Sequence, residues 1–127
     1  MRRTEQRERI FRLIYEDSIS KIEEVDRSLE DKDLLGEDFI QDSLNSYLDH
    51  KSMIDIKIDE NLDNKHKNLS KVVRAIICLS INEIYFMDIP TSVSINEAVN
   101  LAKKYSNQDD YRLVNSILGT ITRKDNK

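Results

Sequence analysis

The chain contains no tryptophan, one proline, two glycines and one cysteine among its 127 residues. Each shortage excludes something. So few breakers leave little material for hairpin turns, and that favours helices. A lone Cys78 cannot form an intrachain disulfide, and with only two histidines no Cys/His cluster has zinc-site spacing. Long hydrophobic runs are missing too. The most apolar stretch, Val72 to Met87, is interrupted by Arg74, Asn82 and Glu83, which suits a buried core helix better than a membrane span. The first fifteen residues carry charges throughout and lack the apolar centre of a secretory signal. There is no glycine-rich phosphate loop, no G-x-S-x-G, and no base converging on acidic pairs such as Glu23-Glu24 or Asp109-Asp110. His50 and His66 stand in polar stretches without partner motifs, and Cys78 reads as a small core residue. These absences point to a cytoplasmic binding protein rather than an enzyme, with no cofactor and no metal.

What the chain does have is charge, unevenly spread. The formal net charge is −4, yet residues 1–15 carry five arginines against two glutamates. Residues 16–38 hold ten acids against three bases, whereas residues 102–127 hold six bases against three acids. Basic ends flank an acidic middle. If folding brings the ends together, one face would attract phosphate and another would repel it.

Hydrophobic periodicity predicts six helices, packed as one all-α domain over residues 1–127. The first runs from about Thr4 to Asp17 on a stripe of Ile10, Phe11, Leu13 and Ile14. Ser20 and Glu23 form a capping box for a short second helix toward Glu30. A long third helix, Glu37 to Leu62, buries Ile40, Leu44, Tyr47, Ile54, Ile58 and Leu62, with a kink expected at His50-Lys51-Ser52. The fourth, Leu69 to Phe86, is apolar around most of its circumference and should be central. Pro90 closes it. Ser94 and Glu97 make a second capping box, opening a fifth helix with Ile95, Ala98, Val99 and Ala102 inward. Asp109 is placed to cap a sixth, whose stripe is Leu113, Val114, Ile117, Leu118 and Ile121. The tail from Arg123 to Lys127 is expected to fray.

Two segments carry a family resemblance. The run Ile89-Pro90-Thr91-Ser92-Val93-Ser94-Ile95-Asn96-Glu97-Ala98-Val99-Asn100-Leu101-Ala102-Lys103, with Leu113-Val114-Asn115-Ser116-Ile117-Leu118 after it, resembles the C-terminal signature of the NusB family of bacterial transcription antitermination factors. Ala75 to Ile84 resembles the family's A-I-L-R-L-A-x-Y-E-L helix. The likeness is strong over residues 69–118 and weak over residues 18–65. It implies an all-α, six-helix fold of two packed three-helix bundles, here about residues 1–65 and 66–127. It also implies a non-catalytic factor that binds boxA RNA, a single-stranded element of ribosomal RNA leaders, together with the small-subunit ribosomal protein NusE. The pair would then join the RNA polymerase elongation complex with other Nus factors to suppress termination.

The resemblance also assigns residues. Arg3 and Arg7 keep two of the family's N-terminal arginines, and with Arg2 and Arg112 they are the expected RNA contacts. Thr4 and Glu5 stand where the family has further arginines, which dilutes the motif. Tyr15, Asp109 and Leu113 are expected at the partner surface, although Leu113 replaces an aromatic residue. Cys78 departs from a family arginine, Asn82 from a tyrosine and Ser116 from a glycine. Glu97 reads as structural, Asn115 as a backbone-satisfying group near a helix crossing. Glu83 needs a buried partner, a helix N-terminus or a Lys/Arg. Two alternatives stand beside this reading. One is an interaction module of the same fold without boxA specificity. The other is the N-terminal domain of a ribosomal RNA cytosine methyltransferase, against which the chain's end after the sixth helix argues. Oligomeric state stays open, since a homodimer burying the basic face would mask the RNA surface.

Overall fold

The most apolar segment becomes the axis of the molecule. The computed structural model describes residues 1–19, 38–63 and 68–127, and its five helices are α1 (Arg3–Ile19), α2 (Asp38–Glu60), α3 (Lys71–Phe86), α4 (Thr91–Tyr105) and α5 (Asp110–Lys124). Helix α3 packs against all four others, with α1 and α2 paired on one side of it and α4 and α5 on the other. A helix so placed needs an apolar surface all round, and α3 is buried at Val73 and without interruption from Ala75 to Ile84. Ser70 caps its start, its hydroxyl accepting from the Val73 amide at 3.1 Å. Among the described residues there is no strand and no helix long and apolar enough to cross a membrane.

Most of the expected stripes go inside, although Ile95 and Val99 of α4 are only partly buried. Ile10, Phe11, Leu13 and Ile14 of α1 are buried, as are Ile40, Leu44, Tyr47, Ile54 and Ile58 of α2. So are Val114, Ile117, Leu118 and Ile121 of α5, while Leu62 and Leu113 are partly buried against the core. Cys78 is a core residue, and burial pushes its thiol up to about 12. Asp17 pins α1 to α2: one carboxylate oxygen accepts from the Tyr47 hydroxyl at 2.9 Å and pairs with Lys51 at 2.6 Å.

Several expectations about helix ends and breaks are corrected. The second helix expected over residues 20–30, with its Ser20–Glu23 capping box, lies outside the described residues, as does His66. Helix α2 runs unbroken through His50, whose Nδ1–H donates to the Ser46 carbonyl at 2.8 Å and whose ring stacks on Phe86 at 3.9 Å. Those contacts hold the ring on the α3 terminus. The tail is not loose either. Asp125 accepts from Lys57 Nζ at 2.8 Å and from the Tyr85 hydroxyl at 2.5 Å, and the Lys127 carbonyl accepts from Thr91 at 2.8 Å.

The α3–α4 corner is the sharpest correction. Helix α3 stops at Phe86, and Asp88 adopts a left-handed φ of 56°, a conformation that aspartate tolerates. Helix α4 then starts at Thr91, with Pro90 at its N-cap and no side-chain cap. Ser94 is therefore one turn inside the helix and buried, not the first residue of a capping box. Its hydroxyl donates to Glu83 Oε1 at 2.9 Å and lies 2.8 Å from the Ser80 hydroxyl.

Candidate nucleic-acid interface

The N-terminal arginines divide into two kinds. Arg2 is solvent-exposed, with 86% of its side chain accessible, and makes an ion pair to Glu5 at 3.2 Å that water largely screens. Arg3 is exposed as well, its guanidinium lying 4.0 Å from the centroid of Phe39. Arg7 is different. It is 4% exposed, and its Nε donates to Glu83 Oε2 at 2.8 Å, with Glu97 at 4.0 Å from its terminal nitrogen. Arg7 is thereby withdrawn from the phosphate-contacting set, because a guanidinium buried against a carboxylate cannot also face a phosphate in solvent.

That pairing answers the question Glu83 raised. A fully buried carboxylate on the central helix finds a charged partner from α1 and a hydroxyl from the first turns of α4. Glu97 belongs to the same junction rather than to a cap: it faces Arg7 and accepts from Thr4 at 3.5 Å. Three helices meet on this network, and α1 is held with its first turn against α4.

Farther along, α1 and α4 share a mixed cluster. Lys104 Nζ donates to Glu8 at 2.7 Å, and the Tyr105 hydroxyl donates to the other oxygen of Glu8 at 3.0 Å. The Lys104 bond holds the Glu8 carboxyl below its ordinary value, against the opposing effect of partial burial. Arg12 is exposed and donates to the Tyr105 hydroxyl at 3.0 Å.

Helix α5 brings the other predicted residues close to this end of α4. Arg112 is exposed, its Nε 3.2 Å from the Tyr111 hydroxyl, and Lys103 reaches the other aromatic contact, 5.0 Å from the same ring. Asp109 is exposed at the N-cap position, yet its side chain caps nothing. Asn107 does that work, its side-chain oxygen accepting from the Asp109 and Asp110 amides at 3.2 Å each. Asn115, expected to satisfy a backbone group near a helix crossing, is exposed and lines a shallow groove of about 470 Å³ with Ile95, Val99 and Tyr111. Ser116 is exposed too. Leu113 is half-buried on the core, and Tyr15 is half-buried with its ring 6.3 Å from Phe11.

Arg2 and Arg3 thus sit at one end of α1, while Arg112 sits across α4 with Lys103. The sequence reading left Lys103 and Tyr111 unassigned. The signal for Arg7 was available: it lies three residues before Ile10 and seven before Ile14, on the buried stripe itself.

Comparison with known proteins agrees with this architecture. The NusB family model matches residues 4–123. The transcription antitermination protein NusB of Clostridium novyi is 37% identical over 135 residues, covering 97% of this chain and 99% of the relative. The protein of the same name from an Exiguobacterium species is 35% identical over 130 residues, covering 98% and 100%. Among solved structures, T. maritima NusB superposes with a TM-score of 0.84 at 26% identity, covering 98% of this chain and 92% of that one. A crystal structure of antitermination factors NusB and NusE in complex with double-stranded RNA matches in fold, with a TM-score of 0.78 at 21% identity over 98% and 99% of the two chains. Matched by its family model over nearly its whole length, and by full-length relatives in sequence, the chain belongs to the NusB family.

Proposed function

We propose that this protein is a cytoplasmic transcription antitermination factor that binds boxA RNA together with NusE and joins the elongation complex, without catalysing a reaction. The observation that carries this is the match to the NusB family model over residues 4–123, on a chain that keeps Arg2 and Arg3 of α1 and Arg112 of α5 exposed. Arg2, Arg3 and Arg112 are the phosphate contacts of this reading. Guanidinium groups suit that task because they present several donors in a fixed fork and stack on bases. Tyr15, Asp109 and Leu113 border the NusE side. The fold would be one domain with helical halves at about residues 1–65 and 66–127, α1 and α2 belonging to the first and α3, α4 and α5 forming the second. A complex of NusB and NusE with RNA in a relative of the same fold supports the pairing of partners.

The test is a titration of the protein, alone and with its own NusE, against boxA RNA and a scrambled strand at two salt concentrations. A boxA duplex serves as a third probe. Tighter binding to boxA that NusE enhances, and that Arg2→Ala with Arg3→Ala weakens, is the expected result. Binding to NusE with equal affinity for both strands would leave an interaction module whose RNA specificity is lost.

A further inference from the structure

Helix α4 ends in two adjacent lysines that the fold treats oppositely. Lys104 is bonded to Glu8 at 2.7 Å, so a carboxylate already answers its charge. Lys103 is exposed and lies by an aromatic ring, its Nζ 5.0 Å from the Tyr111 centroid. Arg112 stands near the same ring, its guanidinium carbon 5.7 Å from the centroid and its Nε 3.2 Å from the Tyr111 hydroxyl. Tyr111 is half-buried and lines two shallow grooves, of about 420 and 470 Å³, that meet at its ring. Its base is therefore fixed by packing while part of the ring remains open. An anchored aromatic face flanked by two cations is what a single-stranded nucleotide needs, since the base can stack while the cations meet the flanking phosphates.

We infer that Tyr111, Lys103 and Arg112 form a nucleotide-binding subsite at the α4–α5 corner, with Tyr111 as the stacking platform and Lys103 as a phosphate contact. The subsite rests on the RNA-binding reading above and extends it to two residues outside that set. It also gives the chain an aromatic surface two positions from Leu113, which has none to offer. Asp109, close to Arg112, limits how many phosphates this corner accepts and favours one nucleotide over a long track.

Binding of single-stranded boxA RNA to the full chain, without NusE, tests this with five variants. Tyr111→Leu should lower affinity by about 5- to 150-fold with an unchanged salt slope, while Tyr111→Phe stays near the parent. Lys103→Ala should reduce the slope of log affinity against log salt by about 0.7, and Lys104→Ala by clearly less. Tyr111→Trp, the sole tryptophan of such a chain, should be quenched by the RNA. Unchanged affinity in Tyr111→Leu, with the parent binding RNA normally, overturns the subsite alone. Equal slopes for the two lysine variants overturn the assignment of Lys103. Loss of NusE binding in Tyr111→Leu with RNA affinity intact would give the corner to the protein partner instead. A parent chain that binds no RNA would overturn both this subsite and the reading beneath it.

Discussion

Arg7 shows how a single residue can belong to a basic motif and yet serve the core. Its neighbours Arg2 and Arg3 are exposed, but Arg7 falls on the Ile10–Ile14 stripe and turns inward to Glu83. Removing one member of a buried ion pair leaves the other charged and desolvated, at a cost of about 3–5 kcal/mol. Arg7→Ala and Glu83→Ala should each lower unfolding free energy by about that much in urea titrations, while Arg2→Ala changes it by less than about 0.5 kcal/mol. Replacing both partners by apolar residues, as in Arg7→Met with Glu83→Leu, should be far milder than either single change. A loss below about 1 kcal/mol in Arg7→Ala would return this arginine to the surface and reopen its RNA role. The sequence made the need for a Glu83 partner plain, because a carboxylate amid Ile81 and Ile84 cannot stay unpaired. It could not name the partner, which lies 76 positions away. Cys78 was the easier reading, since Ile76, Ile77 and Leu79 flank it in the sequence.

Helix interiors were legible and helix ends were not, for a physical reason. A stripe averages over many residues, whereas an end is decided by one or two side-chain bonds. The Ser94–Glu97 spacing satisfies the capping-box pattern, but Pro90, with its fixed φ and missing amide, suits the start one turn earlier. Asp109 was placed correctly at the start of α5, yet Asn107 supplies the oxygen. Asn107→Ala should therefore cost about 1 kcal/mol in thermal unfolding, and Asp109→Ala less; the reverse order would restore Asp109 as the cap. The chain's tail behaves as part of an element for similar reasons. Lys57 and then Tyr85, both bonded to Asp125, hold its carboxyl below the ordinary 3.8. A depressed folded value means that the contribution is present above 3.8 and disappears as pH falls below it toward the folded value. The melting-temperature gap between the parent and Asp125→Asn should thus be open at neutral pH and close below about pH 4. A gap that widens on acidification would show that the tail is held by something else.

At the scale of the molecule, net charge and local charge make opposite demands. An overall −4 repels nucleic acid at long range, so association depends on a few cations that meet phosphate directly. The cations this reading gives to phosphate are few: Arg2 and Arg3 on α1, Lys103 and Arg112 at the far corner, with Arg7 turned inward, Lys104 answered by Glu8 and Arg12 bonded to the Tyr105 hydroxyl. Four single-strand contacts predict a slope of about −3 for log affinity against log salt, or roughly a 50-fold loss between 50 and 200 mM. All five N-terminal arginines acting with Lys103, Lys104 and Arg112 would instead give about −5.6. Titrating the full chain against boxA RNA across that range separates the two. A slope near −3 means that the fold, not the count of basic residues, sets how the protein holds RNA. A slope near −5.6 would require Arg7 and Lys104 to leave their carboxylates on binding, and the α1–α3–α4 junction would then have to open with them.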